Sequence, residues 1–440
     1  MRTNRRTFIR SSIAAATGIT LASSLEARNV VAANDRVNVG LIGARNMGFN
    51  DLKAQLATGS VNCIAICDID RNILENRAAE LQKDFGQTPK RYTDFRKMLE
   101  NNDLDAVIIG TPDHWHCLMA VYACQAGLDV YLEKPMANTI EECNIIVKAT
   151  KRYDRIVQIG QQQRSGEHWQ KVNRMVKEGR IGKLRKVNIW GNFNYGVGLP
   201  KQPDQPVPKG VDYDLWLGPA PARNFNINRF HRMWRMYWDY GGGVMTDWGV
   251  HLIDMAFWVK DLTMPPKTIM ASGGNFSFSD FDHETFDTTS VIFDMGDFTV
   301  TWDQTSGTQK GPWGKNYGLA FVGDLGTILV NREEYQVISE WDTEKKALKT
   351  EEIEKEHISE TSHAAHAANF IDCIKTRQTP ACPPAIGRTV AIATHAANIA
   401  IRSGAGLLHW DDQANAFSNS PEANKFITPE YRAPWSLPKL

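Results

Sequence analysis

The sequence lacks most features that mark a specialised class of protein. Its seven cysteines are odd in number and no CxxC spacing occurs, so neither a disulfide framework nor a zinc knuckle is indicated. It has no excess of charge, because 50 lysines and arginines balance 50 aspartates and glutamates. Hydrophobic residues make up 42% and charged residues 23%, which excludes disordered and fibrous classes. With 440 residues, the chain is long enough for two domains.

The charge balance hides a basic N-terminal segment. Residues 4–10 read NRRTFIR, a twin-arginine pattern, and the apolar run over 13–25 is too short and too rich in Ala, Ser and Thr to span a bilayer. Residues 31–33 offer a small-residue cleavage site. We therefore predict a twin-arginine signal over 1–33, periplasmic localisation and no membrane anchor after its removal. The alternative is an accidental arginine pair before an apolar stretch.

The remaining chain has 45 basic and 49 acidic side chains. This weak negative net charge gives no indication of a basic surface that would bind nucleic acid or anionic lipid. We therefore expect a small-molecule partner and no nucleic acid.

Strands and helices alternate regularly over the first part of the chain. Apolar runs predict strands at 37–42, 61–67, 104–109, 130–132 and 156–159, and apolar spacing predicts helices at 46–57, 71–85, 114–126 and 139–152. This alternation is typical of βαβ units in a doubly wound parallel sheet. A flavodoxin-like sheet without a dinucleotide is the alternative interpretation.

The turn after the first predicted strand carries a pattern that binds dinucleotides. Gly43 and Gly48 supply the first and third glycines of GxGxxG, whereas Arg45 replaces the second and either hinders the pyrophosphate or pairs with it. Asp68 ends the second strand, where an acid accepts hydrogen bonds from a ribose and repels a 2′-phosphate. NAD is therefore predicted rather than NADP. The predicted cofactor residues of this region are Gly43, Arg45, Asn46, Met47, Gly48 and Asp68.

Two later segments carry a more specific signal. Residues 111–116 read TPDHWH, and residues 126–135 end in the tripeptide EKP. With Asp247-x-x-x-His251 and the segment from His366 to Phe370, they resemble the Gfo/Idh/MocA (glucose–fructose oxidoreductase and inositol dehydrogenase) family over roughly residues 35–412. The resemblance implies an N-terminal Rossmann domain and a C-terminal α/β domain with an open, mostly antiparallel sheet.

Domain boundaries follow from the same reading. We predict a signal peptide at 1–33, the NAD-binding domain at 34–160, a substrate-binding and dimerisation domain at 161–412, and an extended tail at 413–440. The C-terminal helices are expected to pack back on the first domain. The resemblance also implies a homodimer or homotetramer.

Lys134 is the first predicted catalytic residue. It follows a buried strand at the carboxyl edge of the sheet, where ligands bind in such folds. An ammonium there hydrogen-bonds the reacting oxygen and favours negative charge on it during hydride loss. The alternative is a surface lysine in a turn.

Asp247 and His251 form the second predicted centre. They are four residues apart after a glycine-rich loop, and Asp254 is three further, so one helix would carry all three on one face. His251 is the predicted general acid/base, and Asp247 is predicted to orient it and to bind a substrate hydroxyl. No third soft ligand stands out nearby, so no metal is predicted. The alternative is a capped helix with a core histidine.

The cleft has further predicted residues. On the cofactor side they are Thr111, Pro112, His116, Glu133 and Lys134. On the substrate side they are Lys134, Arg164, Trp238, Asp247 and His251.

These assignments favour an exported NAD-dependent oxidoreductase. It would transfer hydride between a secondary hydroxyl of a sugar or glycoside and a tightly bound nicotinamide, because free cofactor is not expected outside the cytoplasm. One alternative is glycoside cleavage through a transient keto-sugar. Another is a non-catalytic sensor of sugar or NAD, although a sensor has no use for an acid/base group.

Overall fold

A six-stranded parallel sheet forms the first domain. The computed structural model describes residues 36–359 and 361–440, so the predicted signal segment lies outside the described residues. The strands run in the order β3-β2-β1-β4-β5-β6, all parallel. The elements are β1 Val37–Ile42, α1 Asn46–Ala57, β2 Val61–Cys67, α2 Arg71–Phe85, β3 Lys90–Tyr92, α3 Phe95–Leu99, β4 Ala106–Ile109, α4 His116–Gln125, β5 Asp129–Leu132, α5 Ile140–Arg152 and β6 Val157–Ile159.

Both faces of this sheet are buried, as the apolar runs require. Val107 and Ile109 of β4 enter one apolar cluster with α4 and α5, whereas Ala106 and Ile108 enter another with α1 and α2. Alternate side chains of a strand point to opposite faces, so helices cover the two sides. The predicted doubly wound parallel sheet is confirmed.

The second domain contains a ten-stranded sheet. Its order is β18-β15-β14-β13-β7-β12-β11-β9-β19-β20, and only the β7–β12 pair is parallel. Its elements are α6 Glu167–Lys177, β7 Lys186–Gly191, β8 Leu199–Pro200, α7 Tyr213–Leu217, α8 Gly243–Asp247, α9 Gly249–Trp258, β9 Thr268–Gly274, β10 Phe281–Asp282, β11 Thr288–Asp294, β12 Thr299–Thr305, β13 Tyr317–Val322, β14 Gly326–Val330, β15 Glu334–Ser339, β16 Trp341–Asp342, β17 Ala347–Leu348 and β18 Ile353–His357. The remaining elements are α10 Ser362–Thr376, α11 Pro384–Arg402, β19 Leu407–Asp411, β20 Ala416–Phe417 and α12 Pro421–Asn424.

The two faces of the second sheet differ. Helix α9 packs on one face, against β7, β12 and β13. On the other face Met270, Ile292 and Leu407 are cross-strand neighbours, each about 40% exposed. The predicted open, mostly antiparallel sheet is confirmed.

The last part of the chain returns to the first domain. Helix α10 packs on α1, and α11 packs on α5. In the tail, Tyr431 Oη donates a hydrogen bond of 2.5 Å to Glu142 of α5, and the ring of Trp435 meets that of Trp115 edge to face. In the described part of the chain, no helix is long and apolar enough to cross a membrane.

Two differences from the predicted elements bear on the site. The helix predicted over 114–126 begins at His116, because residues Asp113–Trp115 form a 3-10 turn. The single helix predicted to carry Asp247 and His251 is two helices, since α8 ends at Asp247 and α9 begins at Gly249. Periodicity does not detect this break, because buried residues continue on both sides of the partly buried Trp248.

Candidate active site

The turn between β1 and α1 brings backbone segments into close contact. Gly43 has φ of +84°, and a Cβ there would lie 2.8 Å from the backbone of Gly110. A Cβ on Gly48 would lie 2.3 Å from the carbonyl oxygen of Gly43. Arg45 is extended, with φ of −100°, so its backbone conformation does not require a glycine at the middle position of the motif. The two glycines that the chain keeps are therefore the two that the backbone contacts require.

A cavity lies against this turn, and both domains line it. Of the predicted cofactor residues, all but two line the cavity: Gly43, Arg45, Asn46, Met47, Asp68, Thr111, Pro112, Glu133 and Lys134. The second domain adds Leu215, Trp216, His231, Trp234 and Arg235.

The two exceptions have other positions. Gly48 packs at the back of the turn, where a Cβ on Gly110 would lie 2.4 Å from its Cα. His116 is fully buried, with ring nitrogens 2.8 Å from the Pro135 carbonyl and 3.0 Å from that of Thr111. Burial lowers the pKa of His116 to about 4. A neutral imidazole has one N–H, so His116 donates to one of these two carbonyls and lies between the segments that carry them.

Asp68 lies at the carboxyl end of β2, as predicted. Its Oδ2 accepts a hydrogen bond of 2.8 Å from the Ala44 amide and its Oδ1 one of 3.0 Å from the Asp70 amide. Burial raises the pKa of Asp68 to about 6, although these amides act in the opposite direction. Each carboxylate oxygen has a second lone pair, so both retain capacity to accept a hydrogen bond from a ligand.

Contacts between the domains cross this cavity. Arg45 donates a hydrogen bond of 2.7 Å to the carbonyl of His231, and the ring of His231 lies 2.8 Å from Asp70 Oδ2. The guanidinium of Arg45 is thus turned toward the second domain.

Asp247 is the centre of a charged network. Lys134 Nζ donates to its Oδ1 at 2.5 Å, Tyr195 Oη donates to its Oδ2 at 2.5 Å, and Arg235 Nε lies 3.2 Å from Oδ1. Burial acts to raise the pKa of Asp247, but Arg235 and Lys134 outweigh it and hold the pKa well below its usual range. Asp247 is therefore an ionised partner for two cations and a phenol.

His251 lies near this network but is paired differently. Its Nδ1 is buried and has no hydrogen-bond partner among the described residues. Burial lowers its pKa well below the ordinary value, and Arg332 contributes in the same direction while Asp247 opposes it. Asp247 is predicted to orient His251, but its carboxylate accepts from Lys134 and Tyr195, and no hydrogen bond from His251 to it is found among the described residues. His251 is therefore neutral, and its buried Nδ1 has no partner in the described part of the chain.

Gln163 and Trp248 connect His251 with Arg332. Gln163 Nε2 donates to the His251 carbonyl at 3.3 Å, and Arg332 Nε donates to Gln163 Oε1 at 3.1 Å. The Arg332 guanidinium lies 4.7 Å from the ring centre of Trp248, whose ring centre is 6.0 Å from that of His251.

Two predicted substrate residues lie elsewhere. Arg164 forms a buried ion pair with Asp254 of α9, in which its Nε and Nη2 donate over distances from 2.6 to 3.0 Å. Trp238 lines a second cavity with Asn138, His395 and Arg402. The geometry therefore assigns Arg164 to packing between segments and separates Trp238 from the Lys134 cavity.

The sequence analysis missed Tyr195, Arg235, Arg332 and Asp113. Asp113 stands inside the TPDHWH motif, and its two carboxyl oxygens are buried without a hydrogen bond among the described residues. Burial raises the pKa of Asp113 to about 8, although Arg235 and Lys134 lower it. The other three come from the second domain and stand in no motif.

The fold and the site define an oxidoreductase with a dinucleotide cavity. Residues 37–161 match the family model "Oxidoreductase family, NAD-binding Rossmann fold", and residues 165–275 match "Oxidoreductase family, C-terminal alpha/beta domain". Both models describe the same family, and together they cover more than half of the chain. The chain therefore belongs to the Gfo/Idh/MocA oxidoreductase family.

Curated relatives match about a third of this chain. A glycosyl hydrolase family 109 protein from Shewanella putrefaciens is 32% identical over 154 residues, 34% of this chain and 34% of the relative. An alpha-N-acetylgalactosaminidase from Shewanella oneidensis is 30% identical over 152 residues, 34% of this chain and 33% of the relative. The match thus spans about a third of the length of these relatives.

Solved structures share the complete fold at low identity. The aldose–aldose oxidoreductase from Caulobacter crescentus, complexed with glycerol, has a TM-score of 0.64 and 18% identity over 85% of this chain and 100% of that one. A levoglucosan dehydrogenase, complexed with NADH and levoglucosan, has a TM-score of 0.63 and 19% identity. The alignment covers 85% of this chain and 99% of that one. The WlbA dehydrogenase from Bordetella pertussis, complexed with NADH and UDP-GlcNAcA, has a TM-score of 0.61 and 18% identity. The alignment covers 86% of this chain and 99% of that one.

Proposed function

We propose that the protein is an exported NAD-dependent oxidoreductase that transfers hydride between a secondary hydroxyl of a sugar or glycoside and a retained nicotinamide. The observation that carries this proposal is the position of Lys134. It lines the dinucleotide cavity while its ammonium is held by the ionised Asp247, near the neutral His251. A fixed cation and a proton acceptor beside a dinucleotide cavity are what alcohol oxidation requires.

The cavity suits a dinucleotide. The glycines of the turn leave no side chain where β1, α1 and Gly110 meet. The turn leads directly into α1, and the free backbone amides at the start of this helix favour an anion such as a phosphate. Asp68 retains acceptor capacity for a ribose, and its negative charge opposes a 2′-phosphate, which supports NAD over NADP. When bound, nicotinamide supplies the hydride acceptor or donor.

The residues of the chain divide the remaining work. Lys134 donates a hydrogen bond to the reacting oxygen and favours its developing negative charge. His251 accepts the hydroxyl proton at its unpartnered Nδ1 during oxidation and returns it during reduction. Asp247 holds the ammonium of Lys134 in place, and Tyr195 and Arg235 fix the carboxylate.

Cofactor retention is supported by the second domain. His231, Trp234 and Arg235 line the cavity. His231 also contacts Arg45 and Asp70, so these contacts join the two domains beside the cavity. Departure of a dinucleotide requires these contacts to separate, so the cofactor is recycled by a second substrate rather than exchanged.

The direct test begins with purified protein. Denaturation followed by mass analysis of the released nucleotide should yield NAD(H). Addition of a panel of sugars and glycosides should change the absorbance of the bound cofactor at wavelengths where reduced nicotinamide absorbs. Protein that releases NAD(H) but shows neither an absorbance change with any sugar nor cleavage of any glycoside would favour the alternative function of a non-catalytic sensor.

Glycoside cleavage through a transient keto-sugar is a second candidate. The similarity to glycosyl hydrolase family 109 proteins favours it, because that name denotes cleavage rather than net oxidation. A chromogenic aryl glycoside separates the two functions: cleavage releases the aryl alcohol with no net change of cofactor, whereas oxidation leaves the glycoside intact and accumulates reduced cofactor.

Export and assembly complete the proposal. Arg5→Lys together with Arg6→Lys should retain the precursor in the cytoplasm, because the export receptor reads the paired arginines. An unchanged periplasmic fraction would contradict the twin-arginine signal. The exposed row Met270, Ile292 and Leu407 supports a homodimer or homotetramer, which sedimentation measures directly.

A further inference from the structure

The cations of the candidate site differ in how they are neutralised. Lys134 and Arg235 both pair with Asp247. Arg332 forms no ion pair with any carboxylate in the described residues. It is thus a cation at the site that the described part of the chain leaves without a counter-charge.

The contacts of Arg332 leave one edge of its guanidinium unused. Nε donates to Gln163, and one flat face lies over the ring of Trp248. Nη2 is buried and has no hydrogen-bond partner among the described residues. A buried donor without a partner is costly, and a charged one more so, which indicates that a ligand or water completes this edge.

The unused edge is close to the proposed proton acceptor. Gln163 bonds to both Arg332 and the backbone of His251, and Trp248 packs beside both side chains. Nδ1 of His251 is also buried and unpartnered. Two polar atoms on neighbouring side chains therefore both lack a partner that the described protein could supply.

We propose that Arg332 binds an anionic oxygen group of the substrate, so that the protein acts on acidic sugars in preference to neutral ones. The group is a carboxylate, as in uronic acids and their glycosides, or an ester sulfate or phosphate. A guanidinium edge suits each of these oxyanions, because it presents parallel N–H donors. The inference rests on the proposed function, since it names the substrate class of that same site.

An oxyanion at Arg332 also affects the neighbouring base. The charge of Arg332 is the strongest charge effect that lowers the pKa of His251, ahead of those of Lys134 and Arg235, while Asp247 opposes it. Neutralisation of Arg332 by the substrate raises that pKa toward its ordinary range. An acidic substrate thereby strengthens the base that must accept its proton.

The test compares matched sugar pairs on the holoenzyme. Methyl glucuronide and methyl glucoside, and the corresponding galactosides, differ only in the carboxylate, and glucose 6-sulfate and 6-phosphate provide the ester arms. Binding is measured by calorimetry and oxidation by bound-cofactor absorbance. We expect the acidic member of a pair to bind at least ~10-fold more tightly, with an advantage that falls as salt is added.

Arg332→Met should remove this advantage and leave the affinity for the neutral sugar within about threefold, since one charged hydrogen bond is lost. Arg402→Met is the matched control, because Arg402 also stacks on a tryptophan, Trp238, but in the second cavity. Loss of acidic-sugar binding in Arg402→Met rather than Arg332→Met would overturn the inference, as would a wild-type preference for neutral sugars. Arg332-dependent binding without any hydride transfer would uphold the inference and overturn the proposed oxidoreductase.

Discussion

The two sides of the candidate site differ in how their polar groups are paired. Around Lys134, the carboxylate of Asp247 is bonded by a lysine and a tyrosine and ion-paired with an arginine. Around His251, ring Nδ1 and the Nη2 of Arg332 are buried without partners in the described chain. The hydrogen bonds and ion pairs of Asp247 are all made within the protein, so they fix the charges on that side. The polar atoms without a protein partner, on the other side, can form hydrogen bonds with a bound ligand. The first side is thus suited to positioning and the second to recognition and proton transfer.

The largest expected effect comes from the two groups that meet the substrate oxygen. His251→Ala and Lys134→Ala should each slow hydride transfer by roughly 100- to 10,000-fold, because each removes acid/base or electrostatic help. Cofactor content should stay near that of the wild type. Stopped-flow absorbance of the bound cofactor in a single turnover measures the rate.

His357→Ala is the control for this pair, because His357 is largely exposed on β18. It should leave the rate unchanged. Near-normal hydride transfer in His251→Ala would mean that the proton acceptor is another group, with Lys134 the next candidate.

A smaller effect is expected from the carboxylate that holds Lys134. Asp247→Asn should slow hydride transfer by roughly 10- to 100-fold, because Lys134 and Arg235 lose their shared counter-charge. The negative charge of Asp247 raises the pKa of His251, so its loss should move the acid limb of the oxidation rate to lower pH. Rates of single-turnover oxidation, measured from pH 9 down to the lowest pH at which the protein stays folded, give both effects.

Tyr195→Phe sharpens this prediction, because it removes one hydrogen bond to Asp247 and keeps the charge. It should cost only about fivefold and leave the pH profile in place. If Asp247→Asn and Tyr195→Phe had equal effects, the charge of Asp247 would not be what matters.

The same contrast explains what the sequence predicts. The site residues of the first domain can be predicted from the sequence, because they follow buried strands. Asp68 comes after β2, Thr111 after β4 and Lys134 after β5, and all three line the cavity. A parallel sheet aligns its carboxyl ends, so position along the chain translates into position in space.

The second domain is not readable in this way. Tyr195 lies in the loop after β7, Arg235 in a 3-10 turn and Arg332 after β14, and these positions converge only through the pairing of a ten-stranded sheet. No local spacing encodes that convergence. The regular i, i+4 spacing of Asp247 and His251 predicts one helix, and this prediction is wrong because the helix is interrupted at Trp248.

Asp68 offers a smaller effect, confined to the cofactor side. Apo-protein should bind NAD about tenfold more tightly than NADP, because the carboxylate accepts from the ribose and repels a 2′-phosphate. Asp68→Ala should reduce this difference to about twofold, and the exposed Asp84→Ala in the same domain should preserve it. Fluorescence titrations with both dinucleotides measure the affinities. Equal wild-type affinities would remove the assignment of Asp68 to cofactor selection.

The smallest expected effect concerns stability rather than rate. The pKa of Asp113 is raised by burial to about 8, so the folded protein keeps a proton on this carboxyl that the unfolded chain releases above its ordinary pKa near 4. The free energy of unfolding should therefore fall as pH rises between about 4 and 8, by up to ~1.4 kcal/mol per pH unit from this group. Asp113→Asn has no such proton and should make the slope shallower by about 1 kcal/mol per unit. Glu133, whose pKa burial also raises to about 8, keeps part of the slope in the variant. Urea unfolding followed by tryptophan fluorescence at pH 5, 6, 7 and 8 measures it, and a slope identical to that of the wild type would mean that Asp113 is ionised in the folded protein, as a partner of Arg235.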